Sequence, residues 1–282
     1  MAAVLALVDP AQHGQVASIH DFRVAARSLR ATLETLVLRP RTALVRKAQQ
    51  VLRAAIRAMA DTRDRDVGRS LLSRIKAKGR AGTELKRSML RLSNVERRLA
   101  LTRSLEEWPE QLEPLLRQLA HATETGVSAI IRRTRAEAWQ GRRRAIDAIQ
   151  ALGRRYDPEG LHDLRKLIRG LRYALELLGE VDRTAHARVI LLKPLQTALG
   201  DAQDNIVLSH WLLEQAAVVR ASDPQFSSAL RREAGRFRAH AKRAHAGFLE
   251  QRPKEVLNRL VLHVDPSYAD AAARRRKGPS RS

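Results

Sequence analysis

The 282-residue chain contains no cysteine, and aromatic residues make up only 4 % of it. The absence of cysteine excludes disulfides and thiolate metal sites. The scarcity of aromatic and β-branched residues, beside abundant Ala, Leu and Arg, favours helices with an aliphatic core. No run of about 18 uncharged apolar residues occurs, so we expect no membrane span. The short apolar run at residues 1–8 lacks the basic leader of a signal peptide, and we expect a cytoplasmic, all-α protein.

Acidic residues are also few. The chain has 30 Asp and Glu against 53 Lys and Arg, which gives a net charge of +23. Such an excess repels itself in the folded state and attracts polyanions. The candidate partners are therefore nucleic acid, an anionic membrane surface or another polyanion.

One segment occurs twice. Residues 20–34 and 162–176 both read H-D-x-R-x-x-x-R-x-L-R-x-x-L-E. On a helix, the basic residues of each copy fall on one side and the apolar residues on the other. The first cationic stripe consists of His20, Arg23, Arg27 and Arg30, and the second cationic stripe of His162, Arg165, Lys166, Arg169 and Arg172. Each stripe extends about 15 Å, which is long enough to follow several anionic groups of one chain.

Arginines three and four residues apart repel one another, and on each stripe only Glu34 or Glu176 relieves the repulsion. Since the same pattern recurs in both halves, we interpret the stripes as ligand-binding surfaces. The apolar sides predict core positions at Leu29, Leu33, Leu171 and Leu175.

The rest of the sequence predicts further helices, separated by Pro, Gly and Asp-rich breaks. They are expected near residues 14–38, 42–60, 65–78, 83–106, 109–121, 125–152, 160–179, 184–200, 205–221, 224–250 and 254–263. Turns are predicted at residues 61–64 and 199–204. Residues 60–67 align with residues 200–207, about 140 residues later, and Asp64 and Asp204 read as helix caps. We therefore predict a short N-terminal segment (1–13), a helical domain (14–268) with repeats at 14–123 and 124–268, and a basic disordered tail (269–282).

These motifs resemble those of the CHAD family, a duplicated α-helical domain named for its histidines. The resemblance rests on both copies of the segment, on Leu192-Lys193-Pro194-Leu195 with Leu199-Gly200, and on residues 63–67, and it covers about residues 14–265. It implies two four-helix bundles related by a pseudo-twofold axis, with a basic surface or channel that binds inorganic polyphosphate. Family members are associated with polyphosphate granules, and the isolated domain is not an enzyme. The chain departs from the pattern in that only 19 residues precede His20 and Ile206 stands opposite Asp66.

We predict non-catalytic binding of polyphosphate between the two facing stripes, with no cofactor and no metal. The primary contacts are expected to be Arg23, Arg27, Arg30, Arg165, Lys166, Arg169 and Arg172. A second tier comprises His20, His162, Arg53, Arg57, Lys193 and Tyr173. The two histidines would act as additional donors to phosphate, because a histidine gains charge below about pH 6.5.

Nucleic-acid binding is the main alternative. The further basic residues would suit phosphates of any kind, and they are Arg142-Arg143-Arg144, Arg231, Arg232, Arg236, Arg238, Lys242 and Arg243. The shortage of aromatic residues for base stacking argues against it. A metal-binding or phosphoacceptor histidine protein is less favoured, since the chain has no H-E-x-x-H motif and no nucleotide fingerprint. The sequence leaves the oligomeric state open.

Overall fold

The computed structural model describes residues 16–36, 43–58 and 127–260, with isolated positions at 6–7, 10, 83–84, 87, 110–111, 113–115 and 117–118. The extended regular elements in these ranges are all α-helices, so the predicted all-α class is confirmed. They are α1 (Val16–Leu36), α2 (Ala43–Ala58), α3 (Val127–Leu152), α4 (Pro158–Gly179), α5 (Arg183–Val218), α6 (Pro224–Glu250) and α7 (Pro253–Asn258).

The chain divides into two compact units, each assembled from separate stretches. Unit 1 consists of residues 1–33, 39–124 and 207–236, and unit 2 of residues 34–38, 125–206 and 237–282. The described part of unit 1 contains most of α1, all of α2, and segments of α5 and α6. Unit 2 contains α3, α4, the first two thirds of α5, the end of α6, and α7. The predicted repeats at 14–123 and 124–268 stay a prediction.

Local sequence signals explain where several of these helices begin and end. Asp157, Asp182 and Asp223 precede α4, α5 and α6, and each carboxylate accepts a backbone N–H of the first turn, at 3.1, 2.9 and 2.8 Å. Proline occupies the first position of α4 and α6, where its missing N–H costs nothing. α3 ends at Gly153, whose φ of +53° is left-handed and whose N–H donates to the Ile149 carbonyl at 3.0 Å.

Unit 2 is built around an aliphatic core to which α4 contributes the most side chains. The buried members are Ala138, Ala145, Ile149, Leu161, Leu164, Ile168, Leu171, Ala174, Leu175, Leu178, Ala185, Leu192, Leu195, Leu199, Phe248, Leu257 and Leu260. Gly141 of α3 faces α4, where an added Cβ would lie in ordinary van der Waals contact with the Cβ of Leu171, at 3.7 Å. The prediction that Leu33, Leu171 and Leu175 are core residues is confirmed, whereas Leu29 is half-buried.

The predicted turn at residues 199–204 is wrong, because α5 runs unbroken from Arg183 to Val218. Leu199, Ala202 and Ile206 are all buried, so one helical apolar stripe continues through these residues. Gly200 costs about 1 kcal/mol relative to alanine in a helix, whereas burying one large aliphatic side chain contributes about 1.5–3 kcal/mol. Tertiary packing therefore outweighs the local break signal, and Asp204 lies inside a helix rather than capping one.

The predicted helices that became α1, α2, α3, α4 and α6 are confirmed to within two residues at each end. Those at 65–78, 83–106 and 109–121 lie largely outside the described residues, as do Asp64, most of the N-terminal segment and the tail. Within the described ranges, no helix is both long and apolar enough to span a bilayer.

Candidate functional site

The second cationic stripe lies on α4, on the side opposite the core. His162, Arg165, Arg169 and Arg172 are half-buried, and Lys166 is exposed. The rise of a helix spreads these five side chains over about 15 Å. The division of α4 into one cationic and one apolar side is thus confirmed, and the buried side holds the cationic side in a fixed orientation.

The carboxylates of Asp163 and Glu176 lie beside cations of this stripe. Lys166 Nζ is 2.9 Å from Asp163 Oδ1 at an exposed position, and this hydrogen bond lowers the pKa of Asp163. Arg172 Nε is 3.5 Å from Glu176 Oε1 and has no hydrogen-bond partner among the residues that the structure describes, so this is a long ion pair. Exposed ion pairs contribute only about 0–1 kcal/mol, so a polyanion can replace the Asp163 carboxylate at low cost.

Glu176 opposes the positive charge at the end of the stripe. Burial raises the pKa of this carboxyl group, while Arg172 and His186 lower it by a smaller amount. Arg172 also covers Tyr173, with its guanidinium carbon 5.0 Å from the ring centroid. Arg172 therefore interacts with a half-buried carboxylate and a buried ring at once.

His162 is positioned by an amide side chain of α5. Its Nδ1 lies 3.0 Å from Gln203 Oε1. With the amide oxygen as acceptor, Nδ1 carries the proton, and Nε2 is the ring nitrogen left to face a ligand. Gln203 was not among the predicted site residues. The alignment of the two repeats could have indicated a ligand-facing position there, because position 203 stands opposite a basic residue, Arg63, in the first half.

The first cationic stripe differs from expectation at Arg23. His20 is exposed and Arg27 and Arg30 are half-buried, but Arg23 is only 5 % exposed. Its Nη1 donates to the Ile56 carbonyl at 2.9 Å. Since α2 ends at Ala58, this carbonyl is among the last four of the helix, which have no donor within it. Arg23, expected to be a primary contact, therefore joins α1 to the end of α2.

The second-tier positions also divide by exposure. Arg53 and Arg57 on α2 and Lys193 on α5 are exposed, whereas Tyr173 is 8 % exposed. The exposed three can contact a ligand directly. Tyr173 can act only through Arg172, which it supports.

The arginine run at 142–144 does not form a single phosphate-facing row. Arg142 Nε donates to the Leu257 carbonyl at 2.7 Å, and its Nη2 donates to Asn258 Oδ1 at 3.1 Å. Arg143 lies over the ring of Trp139, 4.9 Å from its centroid. Arg142 thus ties α3 to the end of α7.

Comparison with known proteins places the chain in a family. No solved structure matches it. Two uncharacterized proteins of Mycobacterium tuberculosis, MT2285 and Rv2226, are each 33 % identical to it over 111 residues, 38 % of this chain and 20 % of the relative. The match thus spans only a fifth of the length of these curated relatives. The family model described as the CHAD domain matches residues 2–213, a range that includes both cationic stripes. Because this range covers well over half of the sequence, the chain belongs to the CHAD domain family.

Proposed function

We propose that the protein binds inorganic polyphosphate along its cationic stripes without cleaving it, and that this binding targets it to polyphosphate granules. The observation that carries the proposal is the second cationic stripe. Four permanent cations, the exposed Lys166 and the half-buried Arg165, Arg169 and Arg172, lie along one side of a helix whose opposite side is fixed in the core. Membership of the CHAD family is consistent with a polyphosphate-related function.

The spacing of these cations suits a linear polyanion. Residues three and four apart on a helix have Cβ atoms about 5–6 Å apart, so successive cations can engage successive anionic groups. Arginine presents a planar fork that binds two phosphate oxygens at once, while lysine acts as a mobile point charge. His162 adds a further ring nitrogen at the start of the row.

The contacts of the aromatic rings favour phosphates over nucleotides. Proteins that bind single-stranded nucleic acid without sequence preference stack bases on exposed aromatic rings. On α4, Tyr173 is buried and lies under Arg172, and on α3, Trp139 lies under Arg143. These rings are paired with cations of the protein itself, so the arrangement suits a polymer of phosphate without bases.

A charge-reversal experiment tests the stripe. We expect Arg169→Glu to weaken binding of long-chain polyphosphate by at least about tenfold, equivalent to ~1.4 kcal/mol. Arg220→Glu is the matched control, because Arg220 is exposed and lies outside α4. Isothermal titration calorimetry at a fixed salt concentration gives the affinities, and thermal unfolding checks that both variants fold. Equal affinities for the two variants would contradict the proposal.

Competition with RNA separates the two polyanions. At equal phosphate concentration, we expect polyphosphate to displace a labelled RNA from the wild-type protein, and RNA to displace polyphosphate poorly. The reverse order would establish a nucleic-acid-binding protein. Incubation with Mg²⁺ or Mn²⁺ followed by gel analysis should leave the polymer length unchanged, whereas progressive shortening would reveal an enzyme.

A further inference from the structure

A second group of cations surrounds Tyr156, in the connection between α3 and α4. The centroid of the Tyr156 ring is 5.8 Å from that of His245 and 5.8 Å from Lys242 Nζ. Arg238 is close enough to lower the pKa of Tyr156, against the larger rise that burial causes. Positions 238, 242 and 245 are spaced four and three apart, so they share one side of α6 next to the ring.

This group is strongly positive. Arg238 and Lys242 are both exposed, and in the part of the chain that the structure describes no carboxylate lies within 4.0 Å of either cation. Arg154 and Arg155 are exposed as well and directly precede the tyrosine, so their Cα atoms lie within about 8 Å of its Cα. The carboxylate of the neighbouring Asp157 caps α4, because it accepts a hydrogen bond from the backbone N–H of Glu159.

His245 adds no charge to this group at neutral pH. The residue is 4 % exposed, and burial lowers its pKa from the ordinary value of 6.5. Its ring supports Tyr156 from within the unit, while the cations stand at the surface. The positive charge of the group therefore faces solvent.

We propose that Arg238, Lys242 and the Tyr156 hydroxyl form a second phosphate-binding site in unit 2, which shares no residue with the second cationic stripe. Arginine supplies the fork for two phosphate oxygens, Lys242 supplies a point charge, and the tyrosine O–H donates a hydrogen bond. The identity of the polymer, inorganic polyphosphate, rests on the proposed function.

The position of Lys242 favours a phosphate group over a nucleobase as the ligand of this site. An ammonium group over an aromatic ring is held there by the negative face of the ring. Because Lys242 lies over the Tyr156 ring and His245 packs beside it, the ring is not a free platform for stacking a nucleobase. The two cations are exposed and the tyrosine is half-buried beside them, so the cations suit phosphate oxygens.

The test replaces both cations of α6, in Arg238→Ala/Lys242→Ala, and compares the result with Arg232→Ala/Arg243→Ala. The control removes two exposed arginines of the same helix, placed about 100° around it from the first pair. Titration with long-chain polyphosphate at several salt concentrations should show about tenfold weaker binding for the first pair. The slope of log affinity against log salt should fall by about one for each phosphate contact removed.

The hydroxyl is tested separately by Tyr156→Phe, which keeps the ring and its packing on His245. Loss of one hydrogen bond to a charged phosphate oxygen should weaken binding by at least about tenfold. Thermal unfolding of each variant checks the fold, and Lys242→Gln serves as a milder substitution if the double variant unfolds early.

Outcomes for the two sites are distinguishable when Arg169→Glu is measured alongside. If the α6 pair binds like its control while Arg169→Glu loses affinity, the second site is refuted and the proposed function stands. If the α6 pair loses affinity while Arg169→Glu does not, the second site holds and the proposed stripe fails. A loss of RNA binding as large as the loss of polyphosphate binding would overturn the assignment to phosphate without bases.

Discussion

A substitution of Arg23 can separate the contribution of this residue to folding stability from any contribution to polyphosphate binding. Its guanidinium is nearly fully buried and donates to the Ile56 carbonyl in the last turn of α2. We consider Arg23→Met, which keeps a long unbranched side chain but removes the charge and the donors. The Ile56 carbonyl would then be left without this partner in a buried position.

The expected loss follows from the contacts. A hydrogen bond from a charged donor contributes about 1.5–3 kcal/mol, and a cation at a helix C-terminus about 0.3–2 kcal/mol. Because both describe the same contact, they overlap, and we expect a loss of about 2–3 kcal/mol in the free energy of unfolding. For a chain of this size, that corresponds to a fall in Tm of roughly 4–10 °C.

Differential scanning calorimetry measures the Tm, and polyphosphate titration below the transition measures binding. Arg46→Met is the control, since Arg46 is an exposed residue of α2 that lies outside the predicted ligand contacts. We expect Arg23→Met to lower the Tm and to retain polyphosphate affinity to within about threefold, below ~0.7 kcal/mol. An unchanged Tm together with lost affinity would refute the structural role of Arg23 and indicate that Arg23 contacts the ligand.

Three further predictions test the helices and the charges. Gly200→Ala should raise stability by up to about 1 kcal/mol, measured by urea unfolding, because in the described structure the added Cβ meets nothing within 4 Å beyond its own helical turns in α5; destabilisation would indicate the turn expected from the sequence. Glu176→Gln should tighten polyphosphate binding. The variant should also gain stability relative to wild type as the pH rises through the raised pKa of Glu176, because the folded state disfavours the charged carboxylate. A stability difference that does not change with pH would contradict this. Asp182→Ala should cost about 1 kcal/mol near pH 7, because Asp182 caps α5, and its hydrogen bonds to Thr184 lower its pKa. That cost should shrink as the pH falls through the lowered pKa, and a cost that persists in strong acid would exclude the carboxylate as its source.

Periodicity within single helices was the predictable part of this fold. The apolar positions of α4 recur at helical spacing and reappear as its buried side, and the cations of the second stripe lie opposite them. The start of α4 was predicted two residues late, at residue 160, although Asp157 and the proline after it are standard helix-start signals. In these cases the local sequence and the tertiary structure agree.

Positions decided by distant contacts were not predictable. Arg23 has the same spacing as its neighbours on the stripe, but its burial depends on a carbonyl 33 residues away. His162 and Gln203 are 41 residues apart, and Lys242 and Tyr156 meet only through packing of α6. The unbroken α5 shows the same limit, because the buried Leu199 and Ile206 override a glycine that locally resembles a break.

The double hydrogen bond from Arg142 to the last residues of α7 has a consequence for the basic segment that follows. Together with the complete burial of Leu257 and Leu260, it makes residue 260 a fixed point of attachment on unit 2. Arg274 is 14 residues further along, so it can reach no more than about 50 Å from that point. Its charge, and that of the three basic residues that directly follow it, is covalently linked to unit 2, so dilution of the protein does not reduce its local concentration around a polyanion bound to the same unit.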